Sequence, residues 1–145
     1  LYPRAETPVH LKIDENLKPH LYTESGDELY FSLSHSGDYA VCLIADGPCG
    51  VDIEMIVKDY EKISKRFYTG DERDMCRTKE EFCRVWTMKE SVLKATGMGL
   101  KLGLDSFSVA GGSCVIDGRP YQCHKSDAPE GYCISYVIAE NPKIV

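Results

Sequence analysis

Hydrophobic and polar positions along the chain predict one long helix and several short strands. Over residues 80–96 the apolar positions recur every three or four residues, which is the spacing that buries one face of a helix. That face carries Phe82, Val85, Trp86, Val92, Leu93 and Thr96. Thr78 followed by Glu81 is a capping-box start, and Gly97 and Gly99 can take the left-handed backbone of a helix end. The pattern therefore predicts a helix over residues 80–96.

Apolar runs bounded by turn residues predict strands on both sides of this helix. The expected strands cover residues 29–33, 39–45, 50–54, 107–109, 114–116 and 132–139, with a further strand at 121–124. Residues 39–45 form a continuous apolar run typical of a central strand. We expect this run to pair with residues 50–54 as a hairpin across Asp46-Gly47-Pro48.

The remaining segments complete an α+β fold class. A short helix is predicted over residues 59–68, and a further helical turn begins at residues 69–72. Residues 1–21 contain three prolines and few apolar pairs, so they are expected to form an extended lead-in. The predicted architecture is an antiparallel sheet with the helix at about residues 80–96 packed across one face.

Composition is that of an ordinary globular domain and excludes several classes of protein. With 145 residues, 43% hydrophobic and 28% charged, the chain is expected to form a single domain with a buried core. A net charge of −6 gives no general attraction to nucleic acid or to an anionic membrane. The seven cysteines form no Cys-x-x-Cys pair, which favours reduced, buried thiols in a cytoplasmic protein over disulfides or a zinc site.

Three carboxylates are candidates for a metal site. Asp52 and Glu54 alternate with Val51 and Ile53, so they share one face of the predicted strand. Two neighbouring carboxylates repel each other unless they are solvated or bridged by a cation. Glu90 from the helix would complete an all-oxygen site suited to Mg²⁺. A solvated strand face is the simpler alternative for an isolated Asp-x-Glu.

The helix also carries two lysines in unusual positions. Lys89 projects from the middle of the apolar face, where a lysine is seldom buried without a partner. Glu90 and Lys94 are four residues apart on the edge of that face, so their charged groups reach the same place. A weak surface ion pair is the alternative interpretation.

The segment Ser34-His35-Ser36-Gly37 follows a predicted strand and is rich in donors. Two hydroxyls, an imidazole and the backbone N–H groups of a turn would form a compact cluster suited to phosphate oxygens. A structural turn with a capping serine is the alternative.

The order of three segments resembles the 4′-phosphopantetheinyl transferases. The segments are Phe31-Ser32-Leu33-Ser34-His35-Ser36, Gly50-Val51-Asp52-Ile53-Glu54 and Trp86-Thr87-Met88-Lys89-Glu90-Ser91-Val92-Leu93-Lys94. Within that family the chain is similar to the type that activates peptide and polyketide synthetases, the surfactin-synthetase-activating type. Leu17-Lys18-Pro19 also resembles the family's Gly-Lys-Pro segment, with Leu17 in place of the glycine.

The resemblance implies an enzyme, a cofactor and two partners. The implied reaction moves the 4′-phosphopantetheine group of coenzyme A to a serine of an acyl or peptidyl carrier protein, with Mg²⁺ as cofactor and 3′,5′-ADP as product. The implied Mg²⁺ ligands are Asp52, Glu54 and Glu90. Glu90 would also act as general base, and Lys94 would stabilise or protonate the departing phosphate. The implied coenzyme A contacts are Lys18, Ser34, His35 and Lys89.

The length of the chain departs from the family's larger members, which consist of two similar halves with coenzyme A between them. Residues 50–145 would supply the second half, and residues 1–49 would be a remnant of the first. We therefore expect a fragment, the loss of the first half, or self-association as a homo-oligomer that rebuilds the cleft. A non-catalytic coenzyme A or carrier-protein binding module is the alternative function, and a Mg²⁺-dependent phosphohydrolase is a weaker alternative.

Overall fold

The computed structural model describes residues 9–56 and 59–139, which form two four-stranded antiparallel sheets. The first sheet contains β1 (Val9–Ile13), β2 (Pro19–Thr23), β3 (Glu28–Ser36) and β4 (Tyr39–Ala45), in that order. The second contains β5 (Cys49–Met55), β6 (Ser113–Ile116), β7 (Arg119–Ser126) and β8 (Tyr132–Ala139), in the order β5-β8-β7-β6. Between β5 and β6 the chain forms α1 (Tyr60–Phe67), α2 (Gly70–Met75) and α3 (Lys79–Thr96).

The long helix α3 forms as the sequence predicts. The Thr78 hydroxyl accepts the N–H of Glu81 at 3.2 Å, and the Glu81 carboxylate accepts the N–H of Thr78 at 2.9 Å. The helix ends at Gly97, whose φ of 68° is the left-handed backbone expected there. Its apolar face packs into a core with β7 and β8, which includes Val92 and Val137. Among the described helices, none is both long and apolar enough to cross a membrane.

The α+β class and most of the smaller elements are also confirmed, but the predicted hairpin is wrong. β4 pairs with β3, whereas β5 pairs with β8 at the far end of the chain. Residues 46–48 therefore pass from one sheet to the other and do not turn a strand back on its neighbour. The assignment of residues 1–49 and 50–145 to two lobes stays a prediction.

Two other predicted elements differ from the structure. Residues 107–109 form no strand, because the N–H of Val109 donates to Glu72 Oε1 at 2.8 Å and not to a neighbouring strand. The predicted lead-in contains β1 and the start of β2, which pair as a hairpin. Its residues 1–8 lie outside the described part of the chain. The alternation of Val9, Leu11 and Ile13 is the strand signal in this segment.

A row of serine hydroxyls joins the two sheets. β5 is the edge strand of the second sheet and pairs with β8 on one side. On its other side, the N–H groups of Val51, Ile53 and Met55 donate to the hydroxyls of Ser32, Ser34 and Ser36, at 3.0, 3.3 and 3.2 Å. The three serines face β5 together because side chains alternate along a strand. The donors on the edge of β5 are thus satisfied without a backbone ladder.

α3 lies directly against β5 at a glycine. A Cβ atom on Gly50 would overlap the carbonyl oxygen of Ser91 and would lie 2.8 Å from the backbone nitrogen of Ala95. Both of those atoms belong to the helix backbone, which cannot move aside as a flexible side chain can. Gly50 therefore sets the separation between α3 and β5.

We predict that Gly50→Ala destabilises the fold by about 2 kcal/mol or more, since the new methyl group must push the helix away from the strand. Gly70→Ala is the matched control, because a Cβ on Gly70 meets nothing within 4 Å. Chemical denaturation of the two variants and the parent chain measures the difference. Equal stability of Gly50→Ala and the parent chain would contradict the close approach.

Candidate active site

Asp52 lies where β3, β5 and α3 meet. Lys94 Nζ donates to Asp52 Oδ1 at 2.7 Å and to the carbonyl oxygen of Val51 at 2.9 Å. The Ser34 hydroxyl donates to the same Oδ1 at 2.7 Å. The Asp52 side chain is 6% exposed, whereas that of Lys94 is 30% exposed. The carboxylate is therefore fixed inside the protein, and the lysine reaches it from the solvent side.

The second oxygen of Asp52 is the unusual atom of the site. Among the described residues, Oδ2 is buried and has no hydrogen-bond partner. Burial raises the pKa of Asp52 above its ordinary value, against the opposing effects of Lys94 and of the Ser34 hydroxyl. A buried acceptor without a partner costs free energy and calls for an explanation such as an ion or ligand.

Glu54 and Glu90, the other two predicted metal ligands, lie on β5 and on α3. Glu54 follows Asp52 on the same face of β5. The Cys83 thiol donates to the carbonyl oxygen of Glu54 at 3.7 Å, so α3 runs alongside β5 with Cys83 near Glu54 and Lys94 near Asp52. Glu90 is half-buried and one helical turn before Lys94, on the same side of α3. Along the helix, Glu90 therefore lies between Cys83, which contacts Glu54, and Lys94, which contacts Asp52.

The carboxylates suit a magnesium ion shared with a ligand. In the described ranges, no three His, Cys, Asp or Glu side chains form a group that could hold a metal by themselves. Mg²⁺ usually binds to one or two carboxylates and completes its shell with water and substrate phosphates. The partnerless oxygen of Asp52 and the neighbouring Glu54 carboxylate match that donor set.

Ser34 and His35 do not form a compact phosphate-binding turn, so that expectation is wrong. β3 continues through Ser36, which places Ser34 and Ser36 on the side of β5 and His35 on the opposite, exposed side. The Ser36 hydroxyl donates to Glu54 Oε2 at 2.9 Å, as Ser34 does to Asp52. The two-residue spacing of Ser32, Ser34 and Ser36 is the sequence signal for this arrangement.

Lys89 is part of the core, and its prediction as a coenzyme A contact is wrong. Its Nζ donates to Glu72 Oε1 and Oε2 at 2.6 and 2.7 Å, and to the carbonyl oxygen of Phe107 at 2.6 Å. Both charged side chains are 0% exposed. An ammonium has three donors, so these contacts leave none for a ligand.

Lys18 lies at the C-terminal end of α3. Its Nζ donates to the carbonyl oxygen of Lys94 at 2.7 Å, and Asn16 Nδ2 donates to that of Gly97 at 2.8 Å. These side chains satisfy carbonyl groups that a helix end leaves without partners. Burial lowers the pKa of Lys18. Lys18 and Lys94 also line a cavity of about 280 Å³ beside the helix end.

Leu17 has a backbone conformation that favours glycine. Its φ is 63°, and its side chain is 82% exposed at the edge of the same cavity. The turn is closed by the N–H of Leu17 to the carbonyl oxygen of Asp14 at 3.1 Å. A left-handed backbone costs about 1–2 kcal/mol for a residue with a Cβ. A glycine at this position, as in the Gly-Lys-Pro segment that residues 17–19 resemble, would avoid that cost.

Comparison with known proteins identifies the family. The family model described as the 4′-phosphopantetheinyl transferase superfamily matches residues 48–137, which contain β5 and α3. The chain belongs to this superfamily.

Curated relatives agree with the family model. The chain is 38% identical over 103 residues to a 4′-phosphopantetheinyl transferase of Bacillus subtilis, and the alignment covers 67% of the chain and 45% of that relative. It is 40% identical over 88 residues to 4′-phosphopantetheinyl transferase Sfp of Bacillus subtilis strain 168, and this alignment covers 57% of the chain and 39% of that relative. It is 38% identical over 88 residues to 4′-phosphopantetheinyl transferase HetI of Nostoc, and this alignment covers 54% of the chain and 36% of that relative. The chain spans less than half the length of each of these relatives.

The hairpin that carries Lys18 is held by a histidine between two carboxylates. His20 Nδ1 lies 2.6 Å from Glu28 Oε1, and Nε2 lies 3.0 Å from Asp14 Oδ2. Because both neighbouring atoms are carboxylate oxygens, the doubly protonated ring satisfies both contacts. The hydrogen bond to Glu28, followed by that to Asp14, raises the pKa of His20 above its ordinary value of 6.5.

We predict that the hairpin becomes less stable as the pH rises above 6.5. The folded state has the higher pKa, so the stability from charged His20 is fully present below pH 6.5 and is lost as the pH rises through the raised value. Thermal unfolding at a series of pH values from below 6.5 upward should show a fall in Tm as the pH rises. This fall should be absent in His20→Asn. It should be retained in His10→Asn, the control variant, because His10 lies on the exposed strand β1. An equal pH dependence in His20→Asn would contradict the assignment.

Proposed function

We propose that this chain transfers the 4′-phosphopantetheine group from coenzyme A to a serine hydroxyl of an acyl or peptidyl carrier protein. Membership of the superfamily and the names of the relatives support this reaction class. The observation that carries the proposal is the 2.7 Å contact of Lys94 with Asp52, beside a buried carboxylate oxygen without a described partner. A cationic donor next to an anionic metal ligand is the combination that a pyrophosphate requires.

The proposed reaction exchanges one phosphorus–oxygen bond for another. The serine oxygen of the carrier protein bonds to the phosphorus that bears the pantetheine arm. The bond from this phosphorus to the bridging oxygen of coenzyme A breaks, and 3′,5′-ADP leaves with that oxygen. The serine proton passes to Glu90, or to a water that Glu90 holds, which makes Glu90 the general base.

Lys94 is the proposed partner of the departing phosphate. Within the described part of the chain its ammonium donates to Val51 and Asp52, which leaves one of its three donors for a ligand oxygen. Its side chain is 30% exposed and lines the cavity at the end of α3. A hydrogen bond that strengthens as charge develops on the leaving oxygen would lower the barrier to transfer.

Asp52, Glu54 and Glu90 are the proposed holders of Mg²⁺. When bound, the ion would neutralise charge that develops on the pyrophosphate oxygens. Ser34 and Ser36 serve this site as positioning residues, because their hydroxyls donate to Asp52 and to Glu54.

Lys18 and His35 remain the proposed contacts for the phosphates of coenzyme A. Lys18 lines the cavity beside Lys94, and His35 is exposed at the end of β3. Ser34 stays in the proposal only through its bond to Asp52, since its hydroxyl is used there. The cytoplasmic location and the homo-oligomer expected from the sequence also stay predictions.

Intact-mass measurement of an apo carrier protein tests the proposal. After incubation with the chain, coenzyme A and Mg²⁺, the carrier protein should gain the mass of one phosphopantetheine, and 3′,5′-ADP should appear. Coenzyme A binding without a mass gain would instead indicate a binding module. Release of inorganic phosphate without 3′,5′-ADP would indicate a phosphohydrolase.

We predict that Asp52→Asn abolishes the Mg²⁺-dependent rise in Tm and lowers the transfer rate by at least about 100-fold. The reason is that a bound metal lowers the activation barrier by several kcal/mol. The free energy of unfolding without Mg²⁺ should change by only about 1 kcal/mol. The asparagine oxygen can still accept from Lys94 and Ser34, and a buried charge is removed. Asp105→Asn, at an exposed position, is the control. A wild-type Mg²⁺ response in Asp52→Asn would remove this residue from the metal site.

For Lys94→Ala we predict a kcat about 100-fold lower and a Kd for coenzyme A that changes less than tenfold, since the proposed interaction strengthens in the transition state. Lys101→Ala is the control, because Lys101 is an exposed lysine paired with Glu15. Single-turnover kinetics and calorimetric titration separate the two quantities. Equal losses in kcat and affinity would make Lys94 an ordinary phosphate contact.

A further inference from the structure

Asp14 fixes the turn between β1 and β2. Its Oδ1 accepts the N–H groups of Asn16 and Lys18 at 2.8 and 2.9 Å. Its own backbone N–H donates to the carbonyl oxygen of Lys18 at 3.0 Å. An aspartate that bonds to backbone groups further along the chain is a common means of holding a turn in one conformation. A single carboxylate therefore determines the backbone path of residues 14–18.

This turn forms one wall of the cavity beside Lys94. Residues 16–19 line the cavity together with the end of α3. The turn lies directly on that helix end, since Asn16 Nδ2 and Lys18 Nζ donate to the carbonyl oxygens of Gly97 and Lys94. A Cβ atom on Gly97 would lie 3.4 Å from Lys18 Cδ, which is van der Waals contact. A change in the turn would therefore move the Lys18 ammonium relative to the cavity.

His20 contacts the oxygen of Asp14 that the turn does not use. Its Nε2 lies 3.0 Å from Asp14 Oδ2, and its Nδ1 lies 2.6 Å from Glu28 Oε1. A charged ring donates to both carboxylates, whereas a neutral ring has one N–H and can donate to only one of them. The bond from His20, followed by that from the N–H of Lys18, lowers the pKa of Asp14. Protonation of His20 thus changes the bonding of the side chain that holds the turn.

Other titratable and charged groups share this side of the hairpin with His20. They are His10 and Lys12 on β1, Tyr22 on β2, and Tyr30 on β3, with Arg119 of β7 acting on Tyr30. Among the described residues, only Asp14 and Glu28 bond to the ring nitrogens of His20. Lysine, arginine and tyrosine keep one charge state near neutral pH, so His10 is the group that needs a control.

We propose that His20, acting through Asp14, positions Lys18 for the phosphates of coenzyme A. The inference rests on the proposed function, because Lys18 is taken from it as a coenzyme A contact. Lys18 Nζ makes one hydrogen bond among the described residues, to Lys94, which leaves two of its three donors for ligand oxygens. Charged His20 holds both carboxylates, and the turn then keeps Lys18 at the cavity. Neutral His20 gives up one of these bonds, which leaves the turn less restricted.

Coenzyme A should therefore bind more weakly as the pH rises through the pKa of His20. Glu28, followed by Asp14, raises this pKa above 6.5. We expect an affinity loss of about fivefold, the effect of one typical hydrogen bond. Binding and protonation are reciprocal, so bound coenzyme A must raise the pKa of His20 by the same factor. The phosphate monoester of coenzyme A gains charge near pH ~6, but this contribution is common to all variants of the protein.

Calorimetric titration with coenzyme A, at a series of pH values from below 6.5 upward, tests the proposal. The parent chain is compared with His20→Asn, Asp14→Asn, Asp14→Ala and the control His10→Asn, which lies on exposed β1. Asp14→Asn keeps an oxygen for the N–H groups of the turn but offers no carboxylate to His20, and Asp14→Ala removes both. Circular dichroism verifies that each protein is folded at the temperature of the titration.

We expect the affinity of the parent chain and of His10→Asn to fall about fivefold relative to that of His20→Asn over this series. Asp14→Asn should bind coenzyme A more tightly than Asp14→Ala and should lack the fall. A direct attraction between charged His20 and the bound phosphates would persist in Asp14→Asn, so this variant separates the two explanations. By NMR, coenzyme A should raise the pKa of His20 in the parent chain and not in Asp14→Asn.

Equal pH dependence in the parent chain and His20→Asn would overturn the proposal. A fall that persists in Asp14→Asn, or a parent chain that does not bind coenzyme A, would also overturn it. If Asp14→Ala does not fold, the comparison of the parent chain with His20→Asn and Asp14→Asn still decides. A carrier protein that gains no mass, while binding still depends on His20, would reject the proposed function and leave this inference intact.

Discussion

The candidate site depends on the edge of β5 that pairs with no described strand. Its N–H groups are bonded by side chains of β3, and the same side chains also orient the carboxylates. The Ser34 hydroxyl accepts the N–H of Ile53 and donates to Asp52 Oδ1, which is possible because a hydroxyl has one proton and two lone pairs. A single residue thus fixes the strand backbone and the acid that projects from it. Loss of one such bond would leave a buried donor without a partner, at a cost of about 1–3 kcal/mol.

α3 is fixed on its other side by a buried ion pair. The Glu72 carboxylate accepts from Lys89 and from the N–H groups of Thr69 and Val109, both at 2.8 Å. Buried charges are stable only when they are paired and fully hydrogen-bonded, and removing one partner typically costs about 3–5 kcal/mol. The helix is therefore held between Lys89 in the core and Lys94 at the surface. These two contacts fix its rotation, and with it the side of the helix that Glu90 occupies.

Local patterns in the sequence predicted the parts of the site that depend on neighbouring residues. The capping box at Thr78 and the alternation around Asp52 give α3 and the acidic face of β5 without knowledge of the rest of the chain. The partners of these elements are set by distant segments, and so the pairing of β5 with β8 could not be predicted. A lysine within an apolar face has the same sequence pattern whether its ammonium meets a carboxylate or a ligand, so the pattern alone does not predict the contact of Lys89 with Glu72. Ser-His-Ser-Gly is typical of turns, and that composition concealed the spacing of the serines.

β3 carries the serines of the candidate site on one side and apolar side chains on the other. Its sequence alternates serines, which bond to β5, with Phe31 and Leu33, which face outward. A shift of one residue in strand pairing would exchange the two sets and expose the serines in place of the apolar side chains. The hydroxyl bonds to β5 specify one register, and burial of Phe31 and Leu33 would favour the same register. Burial of Phe31 and Leu33 would therefore stabilise the strand whose hydroxyls hold Asp52, so the register of β3 and the geometry of the site depend on the same short stretch of sequence.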